Sequence, residues 1–298
     1  MQASTLGWLV IAAIIVIAIL FGPRILGELM SRQETARLIR RGADPQHVNP
    51  SAQRDDFSAG IGSPWAFNII NGGNKIGRAP AFHNTTVSVE KGLVISQLPD
   101  SDFAGEPRDK QYNNATLIGF QGYQPTPTED VLFQARIQVS PNLYGSAGMM
   151  VQPRWTILED GSFVGPFKNQ AFTLFGICFL GPESNLLGQN GATVEKVINW
   201  WPVEVQGLGK VDMHELHTYT LRLHWVDEKA WLGTTSVDGQ VLSTMELPPF
   251  GPLELHVWGD NYKLATSWNG TPDIAFQNGE QKWVRFEDVS AWTEAVTK

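Results

Sequence analysis

Cysteine is almost missing from this 298-residue chain: Cys178 is the only one. One thiol cannot close an intramolecular disulfide or build a cysteine-based zinc site, so stability has to come from a packed core. Its place inside the apolar run Phe172 to Leu180 reads as a small buried hydrophobe. A nucleophilic cysteine would need exposure beside a base, which those neighbours deny. Charge is scarce as well, at 17% of residues, and the balance is acidic with a net charge of −8. No basic stripe is present, which excludes the phosphate-neutralising surface that nucleic-acid binding requires. The mild, dispersed acidity serves solubility. Missing too are a P-loop, G-x-S-x-G and G-x-G-x-x-G. His214-Glu215-Leu216-His217 falls one residue short of H-E-x-x-H, so its histidines would not share a helical face, and His217 reads as the start of a strand. No repeat of 20–50 residues is found, which disfavours propellers and solenoids.

Long hydrophobic runs are equally rare, and the exception is at the start. Leu6 to Gly22 (LGWLVIAAIIVIAILFG) carries no charge. As a helix it spans about 25 Å, a little short of a typical hydrocarbon core. Trp8 suits the interface. A cleavable signal peptide is the rival, weakened by the lack of Lys or Arg before the run and of an Ala-x-Ala site after it. Residues 1–23 therefore read as a single transmembrane anchor in contact with membrane lipid. Arg24, Arg32, Arg37, Arg40 and Arg41 follow it, and the positive-inside rule would leave the rest of the chain in the cytoplasm. Long domains, however, translocate despite flanking charge. Residues 24–43 interleave Ile25, Leu26, Leu29, Met30, Ala36 and Ile39 with charge up to Gly42, the pattern of an amphipathic juxtamembrane helix with a glycine cap. Its arginines could meet anionic headgroups or simply be solvated. Asp44 to Gln53, polar with two prolines, reads as a linker that completes the segment 24–54.

From Asp55 to the end the period is two. Apolar and polar residues alternate through Phe133–Val139, through Tyr219–Trp225, and through Leu253–Val257, each the pattern of a half-buried strand. Phe172–Leu180 is apolar on both faces, as a central covered strand would be. Lys91-Gly92, Pro141-Asn142, Asp160-Gly161, Asp238-Gly239 and Asn269-Gly270 mark turns between such runs. With aromatics at 10%, including 11 Trp, residues 55–298 read as one all-β antiparallel sandwich of jelly-roll type.

Several stretches, in order, resemble one superfamily. Asp55-Asp56-Phe57-Ser58 looks like an opening strand of concanavalin A-like lectin/glucanase domains. Phe133-Gln134-Ala135-Arg136-Ile137 followed by Ser146-Ala147-Gly148-Met149-Met150 resembles their Y-x-A-R-I-K … G-x-W-P-A-F-W stretch. Leu216-His217-Thr218-Tyr219, then Val237-Asp238-Gly239-Gln240-Val241, resembles the F-H-x-Y … W-x-V-D-G-x-x-V hairpin of laminarinase-like glycoside hydrolases, and Trp283–Val289 resembles their closing strand. The resemblance spans residues 55–292 and implies a domain that works outside the cell. That opposes the arginine cluster, and the side of the membrane stays open, with the domain type arguing for the outer one.

Laminarinase-like enzymes carry E-x-D-x-x-E on a central strand, because a retaining hydrolase needs two carboxyl groups about 5–5.5 Å apart. The corresponding strand here, Gln170 to Phe179, holds no carboxylate, and E-x-D-x-x-E occurs nowhere in the chain. The family's catalytic residues cannot be carried over. Glu159, Asp160, Glu183, Glu195 and Glu204 lie nearest in sequence and could form a displaced pair, though surface solvation is their ordinary role.

Sandwiches of this class bind sugars on a concave sheet face, stacking aromatic rings on them and reading hydroxyls with amides and charges. The candidates are Trp155 beside Gln152 and Arg154, Trp200-Trp201 beside Asn199, and His256 with Trp258. His256 and Trp258 fall on the face opposite Leu253, Leu255 and Val257. The plain alternative is that these tryptophans fill the core or cover the sheet. Asp238 and Asp260-Asn261 offer oxygen ligands for a structural calcium, with turn duty the simpler account of Asp238. Asn84-Thr85-Thr86, Asn114-Ala115-Thr116 and Asn269-Gly270-Thr271 are glycosylation sequons, relevant only in a lumenal setting. Three functions compete: a membrane-tethered, non-catalytic carbohydrate-binding domain, a glycoside hydrolase or lyase with relocated acids, and a scaffold subunit of a membrane assembly.

Overall fold

The structure is a computed structural model that describes residues 33, 44–70, 85–97, 114–143, 145–153, 156–157, 163–164, 174–181, 191–198, 201–260 and 280–296. The expected anchor lies outside these residues, and of the expected juxtamembrane helix only Gln33 is described, as helical. Among the described residues, no helix is long and apolar enough to cross a membrane.

The described strands, in chain order, begin with β1 (Gln53–Asp55), β2 (Trp65–Ile70), β3 (Thr85–Val89), β4 (Leu93–Gln97), β5 (Asn114–Tyr123) and β6 (Glu129–Val139). There follow β7 (Ser146–Pro153), β8 (Thr156–Ile157), β9 (Phe163–Val164), β10 (Leu174–Leu180), β11 (Gly191–Ile198) and β12 (Trp201–Gly207). The last are β13 (His217–Trp225), β14 (Trp231–Val237), β15 (Gln240–Leu247), β16 (Leu253–Asp260) and β17 (Lys282–Ala295). An eight-stranded sheet runs β15-β14-β13-β6-β17-β4-β3, with β1 added along β17, and a seven-stranded sheet runs β12-β11-β10-β7-β16-β5-β2. Strands β8 and β9 form a separate two-stranded ribbon. Their pairings are antiparallel, and the chain crosses repeatedly from one sheet to the other, as in a jelly roll.

Period-two patterning explains how the layers meet. In the first sheet Phe133 stands opposite Leu221 on one side and Ala291 on the other, all fully buried. In the second, Val194, Ile177, Met149, Val257 and Leu117 line up across five strands with no exposed surface. These inward rows form one apolar cluster between the sheets, each large side chain contributing roughly 1.5–3 kcal/mol by leaving water. Phe179 and Tyr219 close the gap between layers edge to face, with centroids 5.2 Å apart. Strand β10 is buried along its whole length, as its two-sided apolar pattern predicts, and Cys178 is buried with it.

The Asp238-Gly239 turn joins β14 to β15 with φ of 49° and 83°, the two left-handed residues of a tight hairpin. The opening segment differs from the expectation. Strand β1 ends at Asp55, and Phe57 sits in a turn at φ 61°. The cause is local, since the Asp55 and Asp56 carboxylates accept the amides of Phe57 and Ser58 and bend the chain before a longer strand can form. The Asp160-Gly161 and Asn269-Gly270 turns lie outside the described residues.

Candidate functional site

Strand β16, which carries the sequence candidates His256 and Trp258, lies inside the seven-stranded sheet, so the outer face of that sheet is the place to look for a site. The side chains that alternate with the core rows define that face. One row runs Glu195, Gly176, Met150, His256, Ile118 from β11 to β5. The next runs Thr193, Cys178, Gly148, Trp258, Thr116. Glu254 and Gln152 stand opposite each other one step beyond His256.

Two kinds of surface result. At the centre, Met150, Leu174, Cys178, Leu180, Val197 and Trp258 form a second, small apolar cluster, separate from the main core. Trp258 is only 9% exposed. Its indole lies across Gly148, where a Cβ would come within 2.7 Å of the ring and 2.1 Å of the Ile177 carbonyl oxygen. Its Nε1–H donates to Ser146 Oγ, which in turn bonds Asp260 Oδ1. Gly148 is thus the seat of the tryptophan, and the ring is a packed element of the sheet.

Beside this cluster lies a buried polar array. His256, at 2% exposure, sits 2.8 Å from Glu254 Oε1 through Nε2. Gln152 Nε2 lies 2.9 Å from His256 Nδ1 and 2.6 Å from its Nε2, and Gln121 Nε2 donates to Glu254 Oε2 at 3.0 Å. The consistent assignment has His256 Nε2–H donating to Glu254 while Nδ1 accepts from Gln152. The arrangement holds the imidazole in a fixed tautomer, since each member is oriented by the next, and Gln121 is its one partly exposed member while Gln152, Glu254 and His256 are buried. Glu254 and Gln121 are members that motif reading passed over. The signal was present, because Leu253-Glu254-Leu255-His256 alternates and so puts Glu254 on the His256 face.

At the other side of the face, burial pushes the Glu195 carboxyl above its ordinary range, and hydrogen bonds from Thr193 and Cys178 only partly offset this. Burial, followed by the nearby charges of Glu195 and Asp260, pushes the Cys178 thiol well up. This thiol is a donor to Glu195 and no nucleophile.

Glu195 and Glu204 do not form a displaced pair. Glu195 faces outward, whereas Glu204 stands opposite Lys196, on the other face of β11, and is bound to its Nζ at 2.9 Å. Glu195 and the His256 position are three strands apart in one row, or about 14 Å of backbone, with Glu254 a step further. Retaining and inverting hydrolases need about 5–5.5 Å and 6.5–9.5 Å respectively. Glu159, Asp160 and Glu183 lie outside the described residues.

Of the sequence-predicted binding residues, His256 and Trp258 lie side by side on the outer face of β16, both buried. Trp201 opens β12 opposite Ile198. Trp155, Asn199 and Trp200 lie outside the described residues. Asp238, a candidate calcium ligand, spends its carboxylate on the Thr218 amide (2.9 Å) and His217 Nδ1 (2.7 Å), which is turn duty. Among the described residues no group of three His, Cys, Asp or Glu side chains is placed to hold a metal ion.

No protein-family model matches the sequence, and no curated protein matches it. Solved structures do. The β-glucanase of Bacillus licheniformis aligns at a TM-score of 0.50 and 14% identity over 82% of this chain and 99% of its own. A prokaryotic β-1,3-1,4-glucanase (lichenase) from a mouse hindgut metagenome aligns at 0.50 and 16% identity over 82% and 99%. The chain therefore shares the two-sheet fold of these glucanases.

Proposed function

We propose that this chain is a membrane-tethered, non-catalytic glycan-binding protein whose sandwich stands on the outer side of the membrane. The observation that carries the reading is the outer face of the seven-stranded sheet. It holds an amide–imidazole–carboxylate array (Gln152, His256, Glu254, Gln121) beside Trp258, and the Glu195 and Glu204 offered as relocated acids do not share it. Such an array carries directed donors and acceptors of the kind sugar hydroxyls require, and a ligand would meet it at Gln121, its partly exposed member. The tether rests on the Leu6–Gly22 run, and the glycan class on the chemistry of the face together with the fold. Trp155, Asn199, Trp200 and Trp201 are kept as further candidate sugar contacts on the strength of their residue types. Binding of the full chain to a glycan array, with released reducing ends measured after prolonged incubation, tests the reading. Saturable binding without release, weakened by Trp201→Ala, supports it. Binding to no glycan refutes it, and cleavage of a β-glucan refutes its non-catalytic part.

One observation favours a scaffold role instead. The middle of the face is filled by an apolar cluster, each member under a tenth exposed within this chain, so that part of the face is packing and not a cleft for a ligand. Co-purification with stoichiometric partners, together with failure on every glycan, would select that reading.

A further inference from the structure

We propose that residues 44–55 are a rigid strap that fixes which end of the sandwich faces the bilayer, and that the surface so presented is the strand end formed by Gln124–Thr128, Val226–Ala230 and Pro248–Gly251. This rests on the anchoring part of the proposed function. The polar, proline-containing stretch that reads as a linker is bonded to the domain along its length. The Asp44 carbonyl accepts Gln124 Nε2–H at 2.7 Å, and His47 Nε2–H donates to the Gly122 carbonyl at 2.6 Å. Asn49 is held from both ends of its amide. Its Oδ1 accepts the Gln124 backbone N–H at 2.7 Å, and its Nδ2 donates to Glu129 at 3.0 Å. The Tyr123 hydroxyl points at the Ser51 carbonyl, 2.7 Å away. Strand β1 then continues the attachment by pairing with β17. A freely swinging tether would leave these groups to water.

The strap begins at one particular end of the strands. There β6 opens opposite Ala295, Val296 N–H donates to the Thr128 carbonyl, and the Trp225–Trp231 and Trp231–Leu247 pairs lead into the neighbouring connections. The Asp238-Gly239 turn, Ser140–Leu143 and Lys282 occupy the opposite end. The chain enters the domain at this first end, which is the one nearest in sequence to the proposed anchor and is therefore the end assigned to the headgroups. Two large apolar side chains stand exposed there, Val48 at 86% and Val226 at 53%, which suits insertion among headgroups. Asp44, Asp227 and Glu228 outweigh Lys229 nearby, so the partner surface is zwitterionic and not strongly anionic.

The test uses the full chain in phosphatidylcholine vesicles that carry a headgroup acceptor dye. On a Cys178→Ser background, a donor is attached at Val226→Cys or at Val241→Cys, the latter an exposed site beside the opposite turn. The two sites differ in height by about 20–25 Å, the length of a seven-residue strand. Energy transfer from position 226 should be at least twice that from 241, and the difference should collapse in Asn49→Ala while the chain still floats with the vesicles. Lys229→Cys replaces Val226→Cys should that variant fail to fold. Equal transfer from both ends, or the reverse order, in floating protein overturns the strap alone. A chain that does not float overturns the anchoring reading, and the strap proposal with it.

Discussion

Replacing Gly148 by alanine should be among the most damaging one-carbon changes in the domain. On a strand, alanine is ordinarily favoured over glycine by roughly 0.5–1 kcal/mol, because it loses less backbone entropy. Here the added Cβ would sit 2.1 Å from the Ile177 carbonyl oxygen and 2.7 Å from Cη2 of Trp258. The first obstacle is backbone of the adjacent central strand and cannot swing away. The second is the indole that closes the outer cluster. Relief requires β7 and β10 to part locally or the tryptophan to leave its seat. Overpacking of this kind costs about 1–3 kcal/mol and sometimes more. Losing the indole's packing moves the sum towards the roughly 3–5 kcal/mol of a buried tryptophan truncation. A loss of about 3 kcal/mol should lower the guanidinium midpoint by roughly half a molar. Equilibrium unfolding followed by far-UV circular dichroism reads it, with near-UV circular dichroism reporting the indole. An unchanged or raised midpoint would show that Trp258 does not rest on Gly148 and would return it to the open face as a free stacking platform.

Other substitutions give distinct signatures. Glu195→Gln should stabilise the protein at pH 7 and have little effect at pH 4. Burial raises the folded carboxyl above its unfolded value, so stability is complete below the unfolded pKa and is lost as pH rises through the folded one; urea midpoints at the two pH values check this. Asp238→Asn should do the reverse. Its carboxyl is held down, chiefly by the Thr218 amide, so its contribution exists above the unfolded pKa and fades as pH falls through the folded one. The variant should therefore lose stability at neutral pH and little below pH 3, with asparagine still tolerating the left-handed turn. Tyr219→Phe removes a buried hydroxyl with no hydrogen-bond partner among the described residues and should leave the melting temperature unchanged or raise it, by up to about 1 kcal/mol in stability. A clear loss would reveal a partner for that hydroxyl.

Much of the architecture was legible in the residues. The alternation in Phe133–Val139 and Tyr219–Trp225 placed two adjacent strands and their buried faces, and Asp238-Gly239 marked a hairpin. Burial of β10 followed from its unbroken apolar run. The seat of Trp258 was not legible, because it depends on register between strands more than a hundred residues apart in the chain. That Glu195 and Glu204 part company was hidden for a similar reason, since the face of each is set by pairing across the β11–β12 connection. The strap eluded composition entirely. Asp44–Gln53 has the polar, proline-bearing make-up of a linker, and only its particular partners, Gln124 above all, turn it into part of the fold.

The central claim is that a glycan sits on the outer face of the seven-stranded sheet without being cleaved. Hydrogen exchange of the full chain with and without its best-binding oligosaccharide tests this directly. Protection should concentrate in peptides covering 146–153 and 253–260, with the oligosaccharide recovered intact. Protection confined to β13, β14 and β15, or recovery of shortened products, would contradict it.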